Sequence, residues 1–94
     1  MPAHVIIEVE VKDANLYEDY RHKLPPTMAD FGGAAIARGF TELLEGETLM
    51  DRLSVIEFPD RQSALAWYSS PRVQALSEQR KAAANVTVRL VVTG

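Results

Sequence analysis

The sequence predicts an α+β fold with the element order β-α-β-β-α-β. Three observations carry that prediction. Apolar residues alternate at both ends of the chain and twice in its middle. Two blocks with apolar residues at helical spacing separate these stretches. Gly or Pro stands at most of the junctions, where one periodicity gives way to the other.

Residues 4–12, "HVIIEVEVK", make the first strand. Val5, Ile7, Val9 and Val11 share one face, and His4, Ile6, Glu8, Glu10 and Lys12 share the other. The helical block "DANLYEDYRHKLPPTMADFGG" follows. Asn15 with Glu18 three residues later resembles a capping box, and Asp13 is an alternative cap. Tyr17, Tyr20, Leu24, Met28 and Phe31 form one apolar stripe. Pro25 and Pro26 lack a backbone donor, so a kink or a break with a restart at Pro26 is expected. Gly32-Gly33 stops the element, because Gly accepts the left-handed conformation beyond a helix end.

Residues 34–46, "AAIARGFTELLEG", read as the second strand. Ile36, Arg38, Phe40 and Glu42 alternate with Ala35, Ala37, Gly39 and Thr41. Gly46 marks a turn into a third strand, "DRLSVIEF" (51–58), as a hairpin. Pro59-Asp60 ends that strand and caps "DRQSALAWYSS". There Ala64, Trp67 and Tyr68 share a helical face. Ser70 at the N-cap and Pro71 at the first helical position start the next helix, "PRVQALSEQRKAAA". "NVTVRLVVT" (85–93) is the last strand. With right-handed crossovers these elements give a four-stranded antiparallel sheet of order 4-1-3-2, helices on one face. That is the ferredoxin-like βαββαβ plait.

Helices cover only one face of such a sheet. The apolar rows of the first and last strands should meet them, with Ser54, Ile56 and Phe58. Parity sends Ile6, Glu8, Glu10, Leu53, Val55, Glu57, Thr87, Arg89 and Val91 to the open face. Ile36, Arg38 and Phe40 are placed there too, since an Arg is rarely buried without a partner. Glu8 or Glu10 should meet Arg89, and Glu57 should meet Arg38. The face holds too many apolar residues to suit water, so a face-to-face homodimer is expected.

Composition narrows the function classes. Ninety-four residues make one domain, 1–94, that buries roughly 60–65% of its unfolded surface. The chain has no Cys, which removes thiolate chemistry and Cys-based metal sites and suits a reducing cytoplasm. Net charge is −3 and no Lys/Arg run occurs, so nucleic acid is not an expected partner. The sheet positions that carry stacking aromatics in RNA-recognition modules hold Glu8, Glu10, Val55 and Glu57 here. No signal peptide or membrane span is read.

Few side chains look chemical. His22 lies four residues after Glu18 and should make an ordinary helix contact. No G-x-S-x-G, H-E-x-x-H, P-loop or G-x-G-x-x-G occurs, and neither a cofactor nor a metal is expected. No base stands beside Ser69 or Ser70. The catalytic candidates are Arg38, whose fork can hold an anion, and Glu57, which can act as a base in a closed cavity. Tyr17, Trp67 and Tyr68 are candidate cavity walls, and Arg80 is a candidate ligand contact whose stem lies inward and whose head either snorkels out or reaches the cavity.

These residues also carry a resemblance. Tyr17 and Tyr20, "PPT" (25–27), "FGG" (31–33), "RG" (38–39), "LEG" (44–46), "VIEFP" (55–59), "AWYSSP" (66–71), "QAL" (74–76) and Arg80 resemble the bacterial family called domain of unknown function 1330. That family lies within the dimeric α/β-barrel superfamily. One departure is Val73, where the family usually shows a Tyr. The resemblance implies a ferredoxin-like homodimer whose sheets face each other, and no established reaction. The superfamily includes cofactor-free monooxygenases, haem-degrading enzymes, lactone isomerases and stress-response proteins. The haem branch needs a His on a later helix, and none follows His22.

Two readings stand at this point. In the first, a small dimeric enzyme or binding protein holds an anionic or aromatic metabolite among Arg38, Glu57, Trp67, Tyr68 and Tyr17. In the second, the chain is a non-catalytic dimeric module with an interaction or stress role.

Overall fold

The computed structural model describes residues 1–92. Its elements are β1 (Ala3–Val11), α1 (Ala14–Lys23), β2 (Ala34–Phe40), β3 (Arg52–Phe58), α2 (Arg61–Ser69), α3 (Pro71–Ala83) and β4 (Ala84–Val91). The sheet order is β2-β3-β1-β4, with every pair antiparallel. This is the expected plait. Thr93, the expected last residue of the final strand, lies outside the described residues.

Local chemistry explains the helix limits. Asp13, not Asn15, caps α1: its carboxylate accepts from the Leu16 N–H at 3.1 Å. Glu18 is drawn instead to Arg21 at 2.9 Å and His22 at 3.5 Å. Pro25 breaks the helix, and two short 3₁₀ turns, Pro25–Thr27 and Ala29–Phe31, carry the stripe onward. Gly32 then turns left-handed at φ 73°, and a Cβ there would lie 2.8 Å from Pro59 Cγ. The break between α2 and α3 falls at Ser70-Pro71, as the sequence indicates. Ser70 departs from expectation in one detail. Its hydroxyl does not cap α3 but donates to the Trp67 carbonyl at 2.7 Å, closing the end of α2.

The core lies between the helices and the β1 side of the sheet. Val5, Ile7, Val9, Ile56 and Phe58 meet Tyr17, Tyr20, Met28, Trp67, Val73 and Leu76. Trp67 is its anchor, with 1% of its surface exposed. Its ring lies 5.2 Å from that of Phe58, centre to centre. Its indole N–H donates to the Thr27 hydroxyl at 2.9 Å, and that hydroxyl donates to the Leu24 carbonyl at 2.6 Å. Burying a Trp with its donor satisfied contributes area without a desolvation penalty.

The second strand is where expectation and structure part. It ends at Phe40 rather than 46, because residues 41–51 have no strand to pair with. The Thr41 N–H donates to the Asp51 carbonyl at 2.9 Å and closes the base of this loop. Its consecutive Leu43 and Leu44, and Leu49, are exposed. More important, the register with β3 shifts between Ala35 and Ala37. Ile36 is an extra residue, a β-bulge, and parity inverts after it. Arg38 opposes Ser54 and Phe40 opposes Arg52, so both face the helices rather than the open side. The expectation that Arg38 avoids the helix side assumed that this side is all core. At β2 it is not: no helix covers the strand, and every β2 residue is exposed.

The open face otherwise follows parity. Glu8 pairs with Arg89, and Glu10 accepts from Asn85 at 2.8 Å. Glu57 meets His4, its direct cross-strand neighbour, at 3.1 Å. It does not meet Arg38.

Candidate functional site

Leaving β2 uncovered opens a cleft of about 540 Å³ between α1 and the β2-β3 end of the sheet. Helix α1 supplies Tyr17, Glu18, Tyr20, Arg21 and Leu24, and the proline turn adds Pro25 and Met28. The strands supply Ile7, Val9, Ala35, Arg38, Phe40, Arg52, Ser54 and Ile56. The inner part is apolar because these are the helix-facing rows of β1 and β3. The mouth is cationic because Arg52 and, through the bulge, Arg38 share that face.

Arg52 is the residue on which the cleft is organised. Its guanidinium carbon lies 5.1 Å from the centre of the Tyr17 ring and 4.8 Å from that of Phe40. Two rings thus hold one cation in place. Its Nε is buried and has no hydrogen-bond partner among the described residues. Arg38 is a diagonal cross-strand neighbour, since it opposes Ser54 two residues along. Neither Arg makes an ion pair among the described residues.

The acidic group at the rim is already occupied. Arg21 donates to Glu18 from both Nε, at 3.2 Å, and Nη2, at 2.9 Å. This bond holds the Glu18 carboxyl below the usual carboxylate range, which makes it a poor base near neutral pH. Burial raises the Tyr17 hydroxyl above its ordinary value, against the opposing charge of Arg52. Tyr17 therefore stays a protonated donor. The cleft is equipped to hold negative charge on oxygen and to wall an apolar body.

The sequence-predicted site residues do not form one cavity. Arg38 and Tyr17 line the cleft. Glu57 lies on the opposite face of the sheet, so within one chain it cannot act on a molecule that Arg38 holds. Trp67 is sealed in the core. Tyr68 is 39% exposed and walls a separate groove of about 210 Å³ with Val5, Leu65 and Leu90. Arg80 reaches Tyr20 rather than the cleft, with Nη1 3.4 Å from the phenol oxygen. Val73 is buried and lines neither cavity.

Arg52 itself was missed, although the signal was present: it falls in the row of Ser54, Ile56 and Phe58. An Arg on a core-facing row needs a reason. Among the described residues no cluster of His, Asp or Glu is arranged to hold a metal ion. No helix among them is long and apolar enough to cross a membrane.

Solved structures share this architecture. A protein of unknown function from Rhodopseudomonas palustris is 19% identical, with a TM-score of 0.80 over 99% of this chain and 82% of its own. A dimeric ferredoxin-like protein of unknown function from Jannaschia sp. CCS1 is 12% identical, with a TM-score of 0.77 over 99% and 100%. SnoaB, a cofactor-independent oxygenase from Streptomyces nogalater, is 11% identical, with a TM-score of 0.72 over 99% and 93%. At such identities the likeness establishes the ferredoxin-like fold. Among curated proteins none matches in sequence. Over residues 2–94, from the first strand to the last, the chain belongs to the family described as domain of unknown function DUF1330.

Proposed function

We propose that residues 1–94 form one domain that pairs with a second copy through the open sheet face and binds a small anionic or aromatic molecule in the α1/β2-β3 cleft. The observation that carries the ligand reading is the pair Arg38 and Arg52, without acidic partners among the described residues, at the mouth of an apolar-floored cleft. Its size falls within the roughly 300–1,000 Å³ range of ligand pockets. Tyr17 keeps its ligand-binding role, Arg38 becomes a ligand contact instead of a catalytic residue, and Arg52 joins them. Glu57 belongs to the pairing face, where His4 meets it.

Dimerisation is supported by half-buried Ile6, Leu53 and Val55 on the open face and by the dimeric relatives of the same fold. A bacterial cytoplasm suits a chain without Cys. The non-catalytic module is the weaker reading, because it leaves the two arginines unexplained.

The test joins sedimentation equilibrium with a fragment screen followed by amide NMR. A dimer is expected, dissociated by Val55→Lys. Fragment binding should perturb Tyr17, Phe40 and Arg52 and vanish in Ala35→Trp, which fills the cleft. A monomeric wild type would refute the pairing. Fragments that bind Ala35→Trp unchanged would refute the cleft as the site.

A further inference from the structure

Resting on the reading of the cleft as a ligand site, we infer that its ligand is one amphipathic monocarboxylate: a flat apolar body seated on the inner wall and a carboxylate clamped by the Arg52 fork. The Arg52 Nε–H has no acceptor among the described residues. A buried N–H without a partner costs free energy. The Nε–H and an adjacent Nη–H of a guanidinium lie parallel and match the two oxygens of a carboxylate. The Tyr17 and Phe40 rings lie close to the guanidinium and Nε is shielded, so the guanidinium turns outward between the rings for Nε–H to meet a carboxylate. Arg38, one diagonal step away on the exposed strand, adds charge at the mouth.

The body follows from the inner wall. Ile7, Val9, Met28 and Ile56 are buried apolar residues that line the cleft. Opposite Ile56, Ala35 is small and leaves room. A compact inorganic anion leaves that wall wet. A phosphate dianion has a further difficulty. The α1 end at the cleft, Tyr20 to Leu24, is its C-terminal turn, where the helix dipole is negative. Anion sites built for phosphate place a helix N-terminus there instead. One negative charge on a planar group, carried by an aromatic body, meets each of these constraints.

The experiment uses the full chain with 2-naphthoate, neutral 2-naphthylmethanol and inorganic phosphate, read by calorimetry and by the Arg52 Nε–H resonance. Naphthoate should bind at least about tenfold more tightly than naphthylmethanol, and only naphthoate should move the Nε–H signal downfield. Arg52→Met should erase the difference between the two, and Arg52→Lys should restore only part of it. Equal binding of naphthoate and naphthylmethanol would overturn the carboxylate while leaving the cleft as a ligand site. Phosphate binding as tight as naphthoate would overturn the apolar body. No perturbation of cleft residues by any probe would overturn both this inference and the reading beneath it. Should Arg52→Met fail to fold, the wild-type Nε–H signal decides by itself.

Discussion

The Trp67 corner and the Arg52 cleft are made of like materials: aromatic rings around a nitrogen donor. At the corner every demand is met. The indole N–H has Thr27, Thr27 has the Leu24 carbonyl, and the ring has Phe58. At the cleft the rings are in place, but the Arg52 Nε–H has no acceptor among the described residues. A satisfied donor belongs to the architecture. An unsatisfied one in a cleft is the observation on which the proposed ligand rests. Composition does not separate the two regions; the accounting of hydrogen bonds does.

Mutation should separate them as well. Trp67→Ala removes the largest fully buried side chain and should cost about 3–5 kcal/mol, much of a small domain's stability. Thr27→Val keeps the shape but orphans the indole N–H, for about 1–3 kcal/mol. Both losses should appear in urea denaturation. A Thr27→Val protein as stable as wild type would break the comparison.

Arg52→Met should behave in the opposite way. Loss of two ring contacts, about 0.5–1 kcal/mol each, opposes relief of a buried unpaired donor, about 1–3 kcal/mol. The unfolding midpoint should stay or rise while ligand binding falls. A large destabilisation would move Arg52 from the functional column to the structural one.

Tyr17 gives the smallest effect. Its hydroxyl titrates above the ordinary 10.0 in the folded protein because it is partly buried. The unfolded chain therefore ionises first as pH rises. The contribution is complete below 10.0 and is lost as pH climbs through the raised folded value. Stability measured along the alkaline limb should fall less steeply in Tyr17→Phe than in wild type.

The corner was legible in the sequence and the cleft only in part. Ala64, Trp67 and Tyr68 at helical spacing, then Ser70-Pro71, are local signals with local causes. The face assignments of β1, β3 and β4 followed from alternation, since those strands run without interruption. Arg38 was read as a candidate anion hook and placed on the wrong side, with Glu57 joined to it, because a bulge has no composition of its own. Ile36 looks like any strand residue. That it is extra depends on what β3 places opposite it, a relation between distant segments.

That single residue has a consequence for how relatives are compared. An added position acts on a strand as a half-period delay acts on a wave: everything downstream is inverted. A relative of the same length that paired this residue instead of bulging it would carry the same Arg-Gly pair yet set its Arg opposite the position of Leu53, on the other face. Transferring a role between two such chains by aligning letters would then exchange an arginine on the cleft side for one on the open sheet face. Whether residue 36 bulges or pairs thus decides where Arg38 points as much as the identity of the residue decides what it carries there.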